Sequence, residues 1–201
     1  MTSMKIFSIK AALAGAVLAM AASSAFAVNV GGVRYDDTMK VGGKELQLNG
    51  AGVRTKFFVK VFTLGLYLDE KQSSPQEIFK SDTGRRIRLV MLRDVSSEDF
   101  GNAFMTGINQ NSTAAEKAKI ALQIGKYGEL FASMNGLKKG DILDLDYIPG
   151  TGTVCSVNGK KVGDPAPTLE FHNAILKIWL GEKPVDASLK PKLLVAPDPA
   201  K

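Results

Sequence analysis

Arg54 is the side chain of this sequence that is best placed to do chemistry. It follows the glycine-rich segment Asn49-Gly-Ala-Gly-Val53 and precedes residues 55–67, a stretch with almost no charge. An arginine there either reaches solvent at a strand end or points into the apolar interior and binds an anion. Because an unpaired buried charge is costly, the second arrangement is rare and usually functional. The structural alternative is an ion pair with an acid such as Glu98 or Asp99.

Other candidate side chains are isolated in the sequence. The chain has one cysteine, Cys155, and one histidine, His172, so a zinc cluster or a Cys-His nucleophile is not expected. Cys155 lies in a strand-like segment and is interpreted as a small buried hydrophobe. His172 titrates near neutral pH and is either a base or a residue at the edge of the core. Tyr67 could offer its phenol to the anion at Arg54, or pack in the core.

The first 27 residues have the pattern of a secretory signal peptide. A short basic region at 4–10 is followed by an apolar run at 11–22 and by Ala25-Phe26-Ala27, a small-x-small cleavage site. The apolar run is shorter than the ~20 residues that a membrane-spanning helix needs, so we expect no integral membrane span. Cleavage after Ala27 leaves residues 28–201 as one domain, periplasmic or secreted, with a Pro-rich tail at 191–201.

The charge pattern argues against nucleic-acid binding. The formal net charge is +6, and loss of Lys5 and Lys10 with the signal peptide lowers it to +4. The remaining basic residues are interleaved with acids, whereas a nucleic-acid interface needs a one-sided basic face. The densest group, Arg85-Arg86-Ile-Arg88, alternates as the solvent-facing side of a strand does. We therefore expect no nucleic-acid partner.

Hydrophobic periodicity predicts an α+β fold. Alternation and β-branched or aromatic content predict strands at 33–35, 39–41, 45–49, 57–68, 86–92, 141–148, 153–157 and 160–162. Capping residues and apolar stripes predict helices at 75–79, from Ser96 to about Ile108, from Ser112 or Thr113 to about Met134, at 169–180, and after Asp186 or Ser188. Strands and helices come in blocks without regular βαβ alternation. This order favours a large, mostly antiparallel sheet with a helical layer on one face.

Three short motifs resemble the chalcone isomerase family. They are Gly50-Ala-Gly-Val-Arg54, Lys60-x4-Gly65-Leu-Tyr67 and Leu180-Gly-Glu-x-Pro-Val-Asp186. The similarity is to the bacterial exported branch, called chalcone isomerase-like, and runs from about residue 33 to 194. The resemblance implies an open-faced β-sandwich with a ligand cleft between the sheet and the helices.

The resemblance also implies a role for Arg54. The family's plant enzymes close a ring by adding a phenolate oxygen to an enone, and an arginine stabilises the negative charge. Arg54 matches that arginine. The family's threonine position falls on Phe62, or on Thr63 if the alignment slips by one residue, and its tyrosine position falls on Phe100, which lacks a hydroxyl.

Two more family positions differ in this chain. The asparagine position falls on Gly107, and the last hydroxyl position falls on Asn173. The groups that hold the phenol and a water are thus largely missing, while the anion-binding arginine is kept. This pattern resembles the non-catalytic members, including those that bind fatty acids through the same arginine and a tyrosine.

The sequence therefore predicts a binding protein for a small, apolar, anionic ligand, fatty-acid-like or phenolate-like, without a metal or a cofactor. The predicted ligand-binding residues are Arg54, Phe62, Thr63, Tyr67, Phe100 and Asn173. The alternative is an isomerase, an intramolecular lyase of the chalcone isomerase type, which needs the same arginine.

Overall fold

A seven-stranded antiparallel sheet is the framework of the structure, a computed structural model that describes residues 27–195. Its strands lie side by side in chain order: β3 (Thr38–Val41), β4 (Lys44–Lys56), β5 (Val59–Leu68), β6 (Arg85–Met91), β7 (Ile142–Ile148), β8 (Gly152–Val157) and β9 (Lys160–Ala166). Two earlier strands, β1 (Ala27–Val30) and β2 (Val33–Asp36), pair only with each other. The predicted fold class is confirmed.

The helices are inserted between strands of the sheet and after its last strand. They are α1 (Pro75–Lys80), α2 (Ser97–Asn111), α3 (Ala114–Lys119), α4 (Ala121–Ser133) and α5 (Leu169–Leu180), followed by a short 3-10 helix, Lys190–Leu193. The segment after Thr113 was expected to be one helix, but it is two. Thr113 and Glu116 form a reciprocal capping box that starts α3. Ile120, at φ −118° and ψ 16°, then breaks the helical path before α4.

The two faces of β5 contact different parts of the chain. Leu64 and Leu66 belong to the main core, between the sheet and the helices. Thr63, Gly65 and Tyr67 lie on the opposite face, which β2 covers: the Tyr35 hydroxyl is 2.7 Å from Thr63 Oγ1, and its ring leaves no room for a Cβ at Gly65. Both faces of this strand are therefore buried.

The predicted start of the strand at residue 57 is wrong, because β5 begins at Val59. The sequence predicted a strand over 57–68, because aromatic and β-branched residues favour strands. Instead β4 continues to Lys56, and Phe57-Phe58 is a two-residue turn in which both residues have positive φ. The hairpin pairs Lys56 with Val59.

The glycines before Arg54 allow another part of the chain to pack closely against β4. They lie inside the continuous strand β4. A Cβ at Gly50 would collide with the backbone of Lys192 and Leu193, and one at Gly52 would lie 2.5 Å from Leu189 Cδ1. The small residues thus let the C-terminal 3-10 helix lie directly on β4. Arg54 is held in a strand that is clamped from this side.

Arg86 and Arg88 of β6 were expected to face solvent, but they do not. Arg88 forms a bidentate ion pair with Asp144, with both N–O distances at 2.7 Å. Arg86 forms a bidentate ion pair with Asp146, with both N–O distances at 2.6 Å. Each pair is directly opposite across β6 and β7. Their side chains are mostly buried, because β2 covers this face of the sheet and Met39 of the edge strand β3 packs beside Arg86.

The predicted signal peptide lies outside the described residues except for Ala27, the first residue of β1. The last six residues of the predicted tail also lie outside them. Between residues 27 and 195, none of the helices combines the length and the hydropathy that crossing a bilayer requires.

Candidate functional site

A cavity of about 330 Å³ lies between the sheet and the helical layer, next to Arg54. The sheet side is formed by β4 to β7 and the helical side by α2, α4 and α5. Its buried wall is hydrocarbon and aromatic, and includes Leu89, Met91, Leu145, Phe104, Phe131, Ile175 and Ile178. A cavity of this size lies at the small end of ligand pockets, which hold roughly 300–1,000 Å³.

Charged side chains belong to the exposed rim of the cavity. Lys56, Arg93, Asp94 and Asp99 line it but are exposed to solvent, as is Phe57. The acids of the rim are engaged elsewhere: Asp94 accepts hydrogen bonds from Lys138 and Lys139, and Asp99 accepts one from Ser96. The cavity therefore has an apolar interior and a wet, charged opening.

Arg54 is the charged residue of the cavity lining that is half-buried rather than exposed. It lies opposite Phe62 on β5, and its guanidinium carbon is 5.5 Å from the centre of that ring. Its Nε atom is buried and has no hydrogen-bond partner among the described residues. Burial lowers the pKa of Arg54, and the carboxylate of Asp186 partly offsets the effect. Lowering from so high a value leaves the guanidinium charged at neutral pH.

The alternative interpretation of Arg54 was an ion pair with an acid such as Glu98 or Asp99. Neither Glu98 nor Asp99 pairs with it in the described part of the chain, although Asp99 lies on the rim of the same cavity. A buried N–H without a partner is rare in a folded protein and calls for an explanation. An acceptor that enters the cavity would supply that partner.

Trp179 also lines this cavity, and it carries a second buried donor without a partner among the described residues. It lies on α5, is 6% exposed, and its indole Nε1 is buried without a partner among the described residues. Buried tryptophans usually find an acceptor for this N–H. The sequence could not reveal this unpaired atom, because periodicity shows which face of a helix is buried but not which atoms lack partners.

The third sequence motif fixes the loop beside Arg54. Val185 lines the cavity, and Asp186 accepts a 3.1 Å hydrogen bond from the backbone N–H of Thr55. Asp186 also caps the following turn by accepting from Ser188 Oγ at 2.7 Å. Its backbone and side-chain contacts hold the pKa of Asp186 low despite partial burial. The Arg54 motif and the Asp186 motif are thus adjacent in space although 132 residues separate them.

Phe62 and Phe100, two of the predicted ligand-binding residues, line the wall of the cavity. Phe62 is 6% exposed. The register of β4 and β5 shifts between Arg54 and Thr55, which leaves Val61 unpaired, so that Val61 and Phe62 both reach the cavity. Phe100 packs edge-on against Phe131 with ring centres 5.0 Å apart.

Thr63 and Tyr67 are not in this cavity, so their expected position is wrong. Both point to the opposite face of β5, where Thr63 bonds Tyr35 and the Tyr67 hydroxyl donates to the carbonyl of Asp36 at 3.0 Å. Burial is the main factor that raises the pKa of Tyr67 to about 12. Its phenol therefore completes the packing of β2 on the sheet and does not face Arg54.

Asn173 is also outside the cavity. Its Oδ1 accepts from Arg85 at 3.1 Å, and its Nδ2 donates to the carbonyl of Phe79 at 2.8 Å. Both polar ends are occupied in joining α5 to α1 and β6. The expectation that Asn173 lines the same cleft as Arg54 is therefore wrong, because it faces a different side of α5 from Trp179.

His172 and Cys155 are buried away from the cavity. The His172 Nδ1 atom lies 3.2 Å from Thr153 Oγ1, and burial, with the charge of Arg85, lowers the pKa of His172 well below its usual range. Burial raises the pKa of Cys155 to about 12. Neither side chain is therefore poised as a base or a nucleophile. No cluster of metal-ligating side chains occurs within residues 27–195.

Gly107 lies where α2 crosses α5. A Cβ there would be 2.7 Å from Ile178 Cγ2. Ile178 itself lines the cavity, so its branched side chain occupies the space that an asparagine at position 107 would require.

Comparison with known proteins agrees with this architecture. A family model described as chalcone isomerase-like matches residues 27–195. Among solved structures, a fatty-acid binding protein of Arabidopsis thaliana superposes with a TM-score of 0.60 at 17% sequence identity, over 81% of this chain and 91% of that one. At that identity the likeness shows the fold alone. None of the curated protein sequences matches this chain. The match over the whole described region establishes that the chain belongs to the chalcone isomerase-like family.

Proposed function

We propose that this protein is a non-catalytic carrier or sensor of a small apolar anion, fatty-acid-like or phenolate-like. The single observation that carries the proposal is the buried, unpaired Nε–H of Arg54 in the wall of a cavity whose other buried walls are apolar. A charged guanidinium in such a place favours a ligand that combines a negative group with a hydrocarbon body.

Trp179 favours a carboxylate among the possible anionic groups of the ligand. Its indole N–H is a second buried donor without a partner, on a residue that lines this cavity. A carboxylate has two acceptor oxygens, so one group can accept from Arg54 and from Trp179 together. An alcohol of the same length has one oxygen and no charge.

No observation favours the isomerase alternative. Among the described residues that line the cavity, none carries a hydroxyl or a side-chain amide. Ring closure of the plant type needs such groups to orient the ketone and a water. The two hydroxyls expected from the sequence, on Thr63 and Tyr67, are bonded on the other face of the sheet.

The experiment is a calorimetric titration with a medium-chain carboxylic acid and the alcohol of equal length. A hydrogen bond to a charged group contributes ~1.5–3 kcal/mol, so the acid should bind about one to two decades more tightly. The named solved structure, described as a fatty-acid binding protein, supports the choice of an aliphatic acid as the first probe. Equal affinity for acid and alcohol would contradict an anion site.

We further propose that the chain is exported, as a member of the bacterial exported branch of the family. The proposal rests on the basic region, the apolar run and the cleavage motif at the N-terminus. It predicts that protein recovered from the periplasm or medium of its host begins at Val28. Intact mass measurement that finds residues 1–27 retained would contradict it.

A further inference from the structure

The hairpin between β4 and β5 ends in two exposed phenylalanines. Phe57 and Phe58 have 85% and 102% of their surface exposed, and the next residue, Val59, has 45%. They project from the sheet, since they form the turn itself. Large apolar side chains so fully exposed and adjacent to each other mark an interaction site more often than a neutral surface.

The backbone of this turn is unfavourable for the residues that occupy it. Four hairpins of the described chain have two-residue turns with positive φ at both positions. Three of them use the residues that this geometry prefers, Gly31-Gly32, Gly42-Gly43 and Asn158-Gly159. The fourth holds Phe57 at φ 47° and Phe58 at φ 65°. Phenylalanine is strained at positive φ, and these two side chains are buried too little within the protein to compensate for the strain.

A strained turn whose side chains are hardly buried within the protein indicates a function outside it. Local strain is retained where the site has a use for it. Asparagine and glycine in this turn would give a more stable hairpin. The function of this turn must therefore depend on the aromatic rings of Phe57 and Phe58.

The charges around the tip indicate the kind of partner. Lys56 and Lys60 flank the turn on its two strands, both exposed, and no acid occurs between residues 54 and 62. Lys56 Nζ lies 5.8 Å from the centre of the Phe57 ring. Aromatic side chains with adjacent lysines match the interface of an anionic bilayer, where rings enter the acyl boundary and lysines contact the headgroups.

A protein partner fits less well. Phenylalanine buries roughly 150–250 Å² per side chain, so the two rings fall short of the about 800 Å² per partner of a stable interface. A bilayer needs no matching surface, and a narrow tip can enter it.

We propose that the Phe57-Phe58 tip docks this protein onto an anionic lipid bilayer. Phe57 and Lys56 also line the opening of the cavity, so docking would turn that opening toward the membrane. Docking itself does not depend on the proposed ligand, and either proposal can fail without the other.

The test is co-sedimentation of the protein, purified from its own host, with vesicles of phosphatidylcholine alone and of phosphatidylcholine with phosphatidylglycerol. We expect binding to the anionic vesicles that weakens with added salt. The variant Phe57→Asn/Phe58→Gly should lose about tenfold or more in partition coefficient, because burial of the rings is lost. Its melting temperature should equal or exceed that of the wild type.

A charge pair supplies a matched control. Lys56→Gln/Lys60→Gln should weaken binding about tenfold or more, while Lys160→Gln/Lys161→Gln, with the same change in charge beside the Asn158-Gly159 turn, should not. This comparison also decides the matter if the phenylalanine variant unfolds. Absence of wild-type binding to anionic vesicles, or equal binding of all variants, would overturn the proposal and leave the tip to a protein partner.

Discussion

Arg54→Gln is expected to weaken binding of a medium-chain carboxylic acid by about ten- to a hundredfold while the fold is retained. The substitution shortens the side chain and removes the charge, but it leaves a neutral polar group that can still form hydrogen bonds. A hydrogen bond to a charged group is worth ~1.5–3 kcal/mol, and each 1.4 kcal/mol is about tenfold in the dissociation constant. Calorimetric titration of both proteins with the acid measures the effect.

Two comparisons separate this result from a structural role. The alcohol of equal length should bind wild type and variant alike, because it places no charge at Arg54. Arg93→Gln makes the same change in charge on the exposed rim of the same cavity and should alter acid binding much less. Unfolding of the Arg54 variant, or equal losses for acid and alcohol, would mean that Arg54 is structural.

Trp179→Phe is expected to weaken acid binding by about tenfold, since it removes the second donor to a charged group. The replacement keeps an aromatic ring against the core and removes the indole N–H. Part of any loss will come from the smaller ring, and the alcohol measures that part because it also fills the cavity. The difference between acid and alcohol is then the contribution of the N–H.

A double variant tests whether Arg54 and Trp179 contact the same group. If both donate to one carboxylate, the combined loss in Arg54→Gln/Trp179→Phe should be smaller than the sum of the single losses. Strict additivity would indicate that they contact different parts of the ligand. No loss in the single variant would show that the indole N–H takes no part.

The candidate site was only partly predictable from the sequence. Arg54 stood out because an arginine between a glycine-rich segment and an apolar strand has few explanations. Helix α5 was predicted at its observed bounds, because its capping threonine, its apolar stripe and the glycine after it all agree. Phe62 and Phe100 followed from the family resemblance and reach the cavity wall.

The misplaced residues share a physical cause. Thr63 and Tyr67 lie on a strand that is buried on both faces, so no alternation distinguishes the helical face from the face under β2. The unpaired Val61 changes which residues of β5 reach the cavity, and such a bulge has no signal in composition. Phe57 and Phe58 have the composition of a strand but form a turn. Trp179 was missed because hydrogen-bond satisfaction depends on tertiary structure.

The most direct test of the anion site is the indole signal of Trp179 in a ¹H–¹⁵N correlation spectrum. The chain contains one tryptophan, so this signal needs no assignment by comparison with others. On addition of the carboxylic acid, the proton signal should move to lower field. The shift should be half complete at a free acid concentration equal to the dissociation constant found by calorimetry. The alcohol should leave it close to its original position, and Arg54→Gln should abolish the response at the same acid concentration. If the acid binds while the indole signal stays in place, the carboxylate does not lie where Arg54 and Trp179 present their unpaired donors, and the account is contradicted.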